Sequence, residues 1–486
     1  MKLYTGLAMR WNKLVLFSLV FFIATAKVET INTYKGYLDL YYISRLSDQS
    51  IINLPYRIFS LNIDHQNGDL MLRSTVALEH KLRKDTFFLS NDSPTDFELD
   101  MRELYLQVFT SWGEFRVGKI IHTWGNADEN SPVDIISPFD YYYTFGSGIE
   151  KKLATFSSAV DVYMESLKFG LVFSPLHNTH RTPQNDNDFP IKLPVSPSED
   201  QIMKIDGLPY ELGAYVNRSF SFGDISLNYF NGYDRLFNLS GVNGFGHGPD
   251  LSNPYIDVVY GYRKTSVFGF GGTLFLGEIE FRGDAALFNT KDENNNITRV
   301  SPYLPTFYDS LHYSYPLSEQ ARYFQTTLQL EAELPFDIKF VGQFFSYDTL
   351  DYSSDSLPLD EDVSIPNLEI SVDELDPKNI FTPGYGSSLA VLTKKAIILS
   401  LEKQFLDDQL TLAASSVFDI DNTDYSGASP GSILSFEAAY TLMENLELTL
   451  GYTKIKGDKN HPLGEDYRLY LMEDFSHIRA DLKYSF

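Results

Sequence analysis

The chain has 486 residues, a formal net charge of −26 and no cysteine. The absence of cysteine excludes disulfide scaffolds and cysteine-based metal sites, and the strong acidity argues against a nucleic-acid partner. A soluble chain of this length usually divides into two or three domains, but no linker divides this one. Instead, short amphipathic segments rich in Tyr, Phe, Leu and Val recur, separated alternately by tight turns and by long polar loops.

The N-terminal segment predicts export from the cytoplasm. Three cationic residues precede a short apolar run at residues 14–23, which leads into an A-x-A sequence at residues 24–26. This order is typical of a cleaved secretory signal peptide. The apolar run is too short for a membrane anchor, which needs about 20 residues. We therefore expect a signal peptide at residues 1–26 and a single domain at residues 27–486.

The first segments of the mature chain have the pattern of β-strands. Residues 34–46 and 56–65 predict two strands, and residues 70–82 predict a third in which apolar and polar side chains alternate. Asn67-Gly68 predicts a tight hairpin turn between the second and third strands, because both residues tolerate positive φ. The domain therefore begins as an antiparallel sheet.

Two kinds of connection alternate along the rest of the chain. The short ones lie near Ser166, Gly223, Gly272, Pro335, Asp407 and Glu444. The long ones span residues 123–153, 175–209, 234–254, 289–319 and 348–386. Short turns at one rim and long loops at the other are typical of a transmembrane antiparallel β-barrel. Nine hairpins predict an all-β barrel of about 18 strands, with 16 as the alternative count, short periplasmic turns and long extracellular loops.

Alternation within single segments predicts an inside-out polarity. After Gly277, four apolar side chains oppose four charged ones, namely Ile279, Phe281, Ala285 and Leu287 against Glu278, Glu280, Arg282 and Asp284. Residues 324–333 and 446–453 repeat the pattern. A soluble β-sandwich also alternates. Charge ladders on segments of about ten residues, the length that crosses a bilayer, favour a barrel with apolar side chains outside and polar ones within.

The last strand carries a second indication of a barrel. Four apolar residues, Ala480, Leu482, Tyr484 and Phe486, share one face up to the end of the chain. Such a strand is suited to pair with the first one and close the sheet. Its aromatic-x-aromatic ending resembles the C-terminal signal by which Gram-negative outer-membrane barrels are recognised for insertion. The resemblance implies the bacterial outer membrane, its lipid and the barrel-assembly machinery as partners.

The most distinctive local sequence runs from Phe115 to Asp140. It contains V-G-K-I at residues 117–120, W-G at residues 124–125 and S-P-F-D at residues 137–140. In these features the chain resembles a porin-like family of uncharacterised Gram-negative outer-membrane β-barrel proteins, whose members show V-G-R-Q, W-G and then N-P-x-D. The chain departs from that pattern with Lys119, Ile120 and Ser137.

Lys119 and the loop after it are the candidate constriction. Simple alternation through Phe115 and Val117 aims Lys119 at lipid, so we consider either a bulge at Gly118 that turns it inward or a position near the outer rim where its stem extends to water. The loop carries two S-P-x-D turns and three tyrosines, and we expect it to fold into the lumen. Its aspartates also suit simple turn capping.

These considerations give one set of candidate lumen residues. The members near the loop are Arg116, Lys119, Trp124, Asp128, Asp134 and Asp140. The members on other strands are Arg73, Glu103, Glu280, Arg282, Asp284, Glu331 and Glu333. We expect a porin-like channel for passive passage of small solutes, in which the paired charges hold water and the acidic excess gives a mild cation preference.

Other functions are compatible with a barrel. They are an uptake or export channel for a hydrophobic or organic solute, an outer-membrane hydrolase built on a Ser and His pair, with His122 or His477 as the histidine, and an adhesin that uses the large loops. No G-x-S-x-G, H-E-x-x-H or phosphate-binding loop occurs, so we expect neither enzymatic activity nor a cofactor or metal site. Homo-oligomers, such as trimers, are left open.

Overall fold

The computed structural model describes most of the chain. The described residues are 30–81, 97–144, 146, 148–183, 188–189, 197–205, 207–246, 255–294, 296–300, 311–355, 363–365, 368–370, 381–421, 429–461, 464 and 467–486. The signal peptide expected at residues 1–26 lies outside them.

Eighteen strands of the described residues form one continuous antiparallel sheet. They are β1 (Thr30–Arg45), β2 (Pro55–Asn67), β3 (Leu70–Lys81), β4 (Phe97–Thr110), β5 (Gly113–Ile120), β6 (Thr155–Met164), β7 (Leu167–Ser174), β8 (Glu211–Phe220), β9 (Gly223–Tyr233), β12 (Lys264–Leu276), β13 (Ile279–Lys291), β15 (Gln320–Leu334), β16 (Ile338–Ser353), β19 (Lys395–Phe405), β20 (Leu410–Asp419), β21 (Ser432–Met443), β22 (Leu446–Lys456) and β23 (His477–Ser485). The other strands are β10 (Asn238–Gly246), β11 (Tyr255–Gly261), β14 (Leu311–Pro316), β17 (Val363–Ile365) and β18 (Leu368–Ile370).

The sheet closes on itself where the last strand pairs with the first. β23 runs antiparallel to β1 from Tyr37 opposite Ser485 to Arg45 opposite His477. Phe486 continues this pairing, because it exchanges backbone hydrogen bonds with Gly36 at 2.8 and 2.9 Å. The prediction of an 18-stranded antiparallel barrel closed by its C-terminal strand is therefore confirmed.

Short turns occupy the rim at which β1 begins and β23 ends, and long loops occupy the other rim. Two predicted details of the turns are wrong. The hairpin between β2 and β3 turns on Gly68 and Asp69, because Asn67 already pairs with Leu70, and Gly68 has a φ of 61°. Gly272 lies inside β12, and the turn follows at Gly277, where φ is 67°.

Polarity is inverted relative to a soluble protein. On β12, Phe268 and Phe270 point outward and are 56% and 54% exposed, whereas Thr265 and Val267, which precede them on the opposite face of the strand, point inward and are buried. On β15, Gln325 faces the interior and is also buried. Such a surface suits a lipid environment with a hydrated interior. No helix in the described residues combines the length and apolar character that a membrane-spanning helix requires.

The long loops contain additional sheet structure. β10 pairs with β11 and β14 in a separate three-stranded sheet, and β17 pairs with β18. β10 therefore occupies part of residues 234–254, where the sequence predicted only a loop. β16 extends to Ser353, so the connection predicted to begin at residue 348 starts later.

A hydrophobic core fills the loop end of the barrel. Side chains from six loops pack there against the inward-facing ends of strands, and they include Ile52, Phe139, Tyr141, Phe189, Leu236, Leu389, Tyr467 and Phe475. A second cluster joins Trp124, Val133, Ile135 and Ile136 to the inner wall and to Phe381 and Tyr385. These clusters position residues 121–154, which we call the crossing loop.

Candidate functional site: the crossing loop and the lumen wall

The tip of the crossing loop is hydrogen-bonded to the wall formed by β13, β15 and β16. The backbone nitrogens of Asn126 and Ala127 each donate to Asp284 Oδ2 at 2.7 Å, and Asn126 Nδ2 donates to Asp284 Oδ1 at 2.8 Å. Asp284 faces inward in the middle of β13 and is 2% exposed. The loop leaves the barrel wall after β5, and its tip contacts the inward-facing Asp284 on β13. It therefore lies within the lumen.

Glutamine side chains on the next two strands hold the same tip. Gln329 Nε2 donates to Asp128 Oδ2 at 2.7 Å, and the backbone nitrogen of Asp128 donates to Gln329 Oε1 at 2.9 Å. Gln343 Nε2 donates to the carbonyl of Asp128 at 2.8 Å, while Asn130 Nδ2 donates to Gln343 Oε1 at 2.9 Å. Buried amides that pair in both directions define one position for the tip.

A charged cluster lies beside the tip. Arg282 contacts Asp128 at 2.7 Å, Glu280 at 2.6 Å and Glu331 at 3.5 Å, and Lys339 contacts Glu331 at 3.1 Å. A cavity of about 380 Å³ opens towards the short-turn rim and is lined by Glu278, Glu280, Glu331, Ala332, Glu333, Asp337 and Lys339. The candidates of β13 and β15 are thus brought together, and carboxylates outnumber cations among them.

The base of the crossing loop is packed and not exposed to the lumen. The Trp124 ring contacts Tyr215 edge to face at 5.2 Å, and its backbone nitrogen donates to Asp134 Oδ1 at 3.0 Å. Lys152 Nζ lies 3.0 Å from Asp134 Oδ2. Burial raises the pKa of Asp134, and the charge of Lys152 opposes that rise. Trp124 and Asp134 therefore hold the loop in shape.

Asp140 also holds the crossing loop in shape. It caps the short 3-10 helix Tyr141–Tyr143 by accepting a hydrogen bond from the backbone nitrogen of Tyr142, and it lies 3.2 Å from Arg181 Nη1. Burial raises its pKa, against the opposing charge of Arg181. Of the three candidate aspartates in the loop, Asp128 is the one with a large exposed fraction, 55% of its side chain.

Lys119 does not lie in the lumen. The pairing of β5 with β4 and β6 is continuous through Gly118, so no bulge occurs there, and Lys119 stays on the outward face with 40% of its side chain exposed. Its ammonium contacts Asp100 at 3.4 Å and the carbonyl of Met101 near the loop end of the barrel. The rim position considered for Lys119 therefore describes the structure. The expectation that Lys119 is a lumen residue is therefore wrong, and its ion pair is with Asp100 instead of Asp128, Asp134 or Asp140.

The bulge lies instead on the neighbouring strand. The pairing of β3 with β4 shifts between Thr75, opposite Glu103, and Val76, opposite Met101, so Arg102 is the extra residue. Arg102 is 4% exposed and donates to the carbonyls of Glu150 and Lys152 at the end of the crossing loop. A bulge redirects a side chain without disturbing the rest of the ladder.

The remaining candidates form pairs on the opposite wall. Arg73 forms a bidentate ion pair with Asp64 at 2.6 and 2.8 Å, and Arg116 contacts Asp161 at 2.7 Å. Glu103 accepts a hydrogen bond from the backbone nitrogen of Ile121 at 3.0 Å, which fixes the start of the crossing loop.

Several residues important to this arrangement were not predicted. The buried arginines Arg57, Arg235 and Arg263 connect loops to the wall, and Arg235 contacts Glu211 at 2.8 Å. Tyr385 OH donates to the carbonyl of Ile135 at 2.7 Å. The signal for Tyr385 was the apolar, Gly-rich sequence at residues 381–392 inside a polar loop. The arginines have no comparable signal.

The histidines singled out by the sequence are buried. His122 Nε2 lies 2.9 Å from Ser157 Oγ, but both side chains are at most 3% exposed, and burial lowers the pKa of His122 to about 3. His477 Nδ1 lies 2.7 Å from the carbonyl of Phe475. Within the described residues, no group of three or more His, Asp or Glu side chains is arranged to hold a metal ion.

The fold and this site define the class of structure: a closed 18-stranded β-barrel with an apolar exterior and a polar lumen that one loop crosses. The sequence matches no family model and no curated protein. Solved structures similar to it include the outer membrane protein opdK from Pseudomonas aeruginosa, at 9% identity and a TM-score of 0.48, covering 94% of this chain and 99% of that one. OpdK with vanillate, from the same organism, has 10% identity and a TM-score of 0.49, covering 94% and 98%. OccAB3 from Acinetobacter baumannii has 10% identity and a TM-score of 0.47, covering 94% and 99%.

Proposed function

We propose that this protein is an outer-membrane channel for passive passage of small polar solutes. The observation that carries the proposal is the polarity of the barrel, which exposes apolar rows outside and charged rows such as Glu280, Arg282 and Asp284 inside. A barrel of 16 to 18 strands is wide enough to enclose an aqueous channel. A charged inner surface holds water and therefore suits polar solutes.

The crossing loop narrows this channel. Its tip is held on β13, β15 and β16 by Asp284, Gln329 and Gln343, so solute passes beside Asp128 and Arg282. The acidic cavity near Glu331 lies on the same route and gives a mild cation preference. Arg73, Glu103 and Arg116 line the opposite side.

The alternative functions receive less support from the site. A hydrolase needs a Ser and His pair that meets substrate, whereas His122 and Ser157 are buried together. The charged cluster around Arg282 is a poor surface for a hydrophobic solute. An adhesin would act through its surface loops, so its function would not require the polar interior of this barrel.

The proposed setting is the bacterial outer membrane. It is reached with a signal peptide at residues 1–26, and the C-terminal strand is the segment that the barrel-assembly machinery would recognise. Membrane lipid covers the apolar exterior. The apolar grooves on that exterior also leave room for homo-oligomers.

Single-channel recording in planar bilayers tests the proposal. Refolded protein that shows heat-modifiable gel mobility should give steady, ohmic current steps. Deleting residues 128–143 should increase the step size. If that variant does not fold, the substitution of Asp284 with alanine provides a second test of the same contact. Folded protein without any conductance would overturn the channel function, and unchanged conductance in both variants would overturn the constriction.

A further inference from the structure

Two lysines lie directly opposite each other on the outward face of the barrel. Lys264 begins β12 and Lys291 ends β13, and the two residues are partners in the antiparallel pairing. The neighbours Thr265 and Thr290 are buried and point inward, so both lysines point away from the lumen. They lie at the loop end of the strands, above the rows that face lipid.

This pair has no neutralising partner within the described part of the chain. Neither lysine forms an ion pair with a carboxylate there, whereas Arg322 on the next strand is already paired with Asp351. Like charges directly opposite each other destabilise a sheet. Two such ammonium groups in an acidic protein form a local cationic site suited to an anion.

The rows below the lysines change from polar to apolar in register. The next outward row consists of Asn231, Ser266, Asn289 and Arg322. The row after it consists of Tyr229, Phe268, Leu287 and Phe324. From the rim towards the membrane, this face thus presents cations, then hydrogen-bonding groups, then aromatic and aliphatic side chains.

A groove begins at the apolar row. It has a volume of about 510 Å³, and small residues such as Ala214 and Ala285 form its floor between Phe268, Phe270 and Phe324. It continues into a second groove of about 890 Å³, which shares Phe270 and Ala285 and extends towards the short-turn rim. The first groove is therefore an apolar cleft directly below a cationic pair.

We propose that this face binds a phosphorylated lipid of the outer leaflet. Lys264 and Lys291 bind the phosphate together, Ser266 and Asn289 hydrogen-bond the polar head, and an acyl chain lies in the groove over Ala285. The order of charge, polarity and apolar space matches that of one amphiphile oriented with its head at the rim. The site is separate from the lumen, so it does not depend on the channel function.

The test uses the full chain, purified in lipid-free detergent micelles, with lipid A as the probe. Lipid A is a doubly phosphorylated glycolipid with acyl chains, and native mass spectrometry reports its binding. The double substitution K264Q and K291Q should weaken binding about 30-fold, the factor expected for two lysines at a membrane surface. The pair K264R and K291R should retain it. K395Q is the matched control, because Lys395 is also an exposed rim lysine but lies on β19, which contributes no residue to the first groove.

Two further measurements identify the ligand. Ala285→Phe fills the groove and should also weaken lipid A binding. The wild-type protein should bind dephosphorylated lipid A as weakly as the K264Q and K291Q variant binds lipid A. Equal binding by wild type and the K264Q and K291Q variant would overturn the proposal. So would stabilisation by inorganic phosphate equal to that by lipid A, which would indicate a simple anion site. A change of oligomeric state in Ala285→Phe, with lipid binding unchanged, would assign the groove to a second copy of the chain.

Discussion

Asp284 accepts a hydrogen bond from the backbone nitrogen of Ala127 at 2.7 Å and thereby joins two residues 157 positions apart in the chain. The carboxylate is buried in the wall of the barrel, and the amide belongs to the loop that crosses the lumen. Because Asp284 also binds Asn126, one side chain satisfies three donors of the loop tip.

Asp284→Ala should release the tip of the crossing loop. Each buried amide left without a partner costs about 1–3 kcal/mol, so the docked position of the loop loses most of its advantage. We expect larger and noisier single-channel currents and faster proteolysis within residues 121–154. The barrel itself should keep its heat-modifiable mobility, and unchanged proteolysis and current together would contradict the assigned role.

Asp128→Asn and Arg282→Gln should differ from that result. The Asp128 side chain is 55% exposed and that of Arg282 is 22% exposed, so solvent screens their ion pair and its contribution is below about 1 kcal/mol. We expect little change in loop proteolysis but a measurable change in ion selectivity, because both charges border the aqueous route. A loss of loop docking as large as that in Asp284→Ala would show that the ion pair, rather than Asp284, positions the tip.

The acidic cavity should set the cation preference. Replacing Glu280 and Glu331 with glutamine removes two carboxylates from the cavity that faces the short-turn rim. The reversal potential in a salt gradient should move towards zero, and the difference from wild type should shrink at high salt, where charges are screened. A matched control is Glu444→Gln, at a turn outside this cavity. An unaltered reversal potential in the double variant would place the selective region elsewhere.

Acid should loosen the contact between the crossing loop and His180. His180 Nδ1 accepts a hydrogen bond from the backbone nitrogen of Phe139 at 2.7 Å, and burial holds the pKa of His180 well below its usual 6.5. The contact therefore contributes fully above about pH 6.5 and weakens as the pH falls, because the unfolded form then binds a proton that the folded form excludes. The free energy that this contact contributes changes by at most about 1.4 kcal/mol per pH unit.

His180→Asn keeps an acceptor near Nδ1 but cannot take up the proton. Its loop proteolysis should depend less on pH between about 4 and 6.5 than that of wild type. Burial raises the pKa of Asp134 and Asp140, an effect of opposite sign that is common to both proteins and cancels in the comparison. Identical pH profiles would exclude His180 as the titrating group.

Gly36→Val should impair closure of the barrel. A Cβ atom at Gly36 would lie 2.5 Å from the carbonyl oxygen of Ser60 and 2.7 Å from the ring of Phe486, so the two ends of the sheet could not approach. We expect a low yield of heat-modifiable protein after refolding. Gly244→Val is the control, since nothing lies within 4 Å of a Cβ at that glycine. Normal folding of Gly36→Val would show that the closing pairing tolerates a shift.

The sequence alone determined the architecture, because apolar and polar side chains alternate along each strand. This alternation indicates which face meets lipid and which meets water. Residues 279–287 and 324–333 carry that pattern without reference to any distant residue, and the alternation of short and long connections fixed the strand count. The orientation of Lys119 shows where such local reasoning is incomplete. Simple alternation places it correctly on the outward face, and the bulge that was considered at Gly118 occurs at Arg102 on the neighbouring strand.

Only the tertiary structure decided which residues of the wall and the loops meet. Asp284 and Ala127, Arg282 and Asp128, and Arg235 and Glu211 are pairs between a wall and a loop, and no local periodicity relates their positions. The same holds for Asp134 and Asp140, whose sequence suited either turn capping or a constriction, and which hold the crossing loop in shape. Alternation along a strand is a property of neighbouring residues, whereas the path of a loop through the lumen depends on contacts that exist only after the barrel has closed.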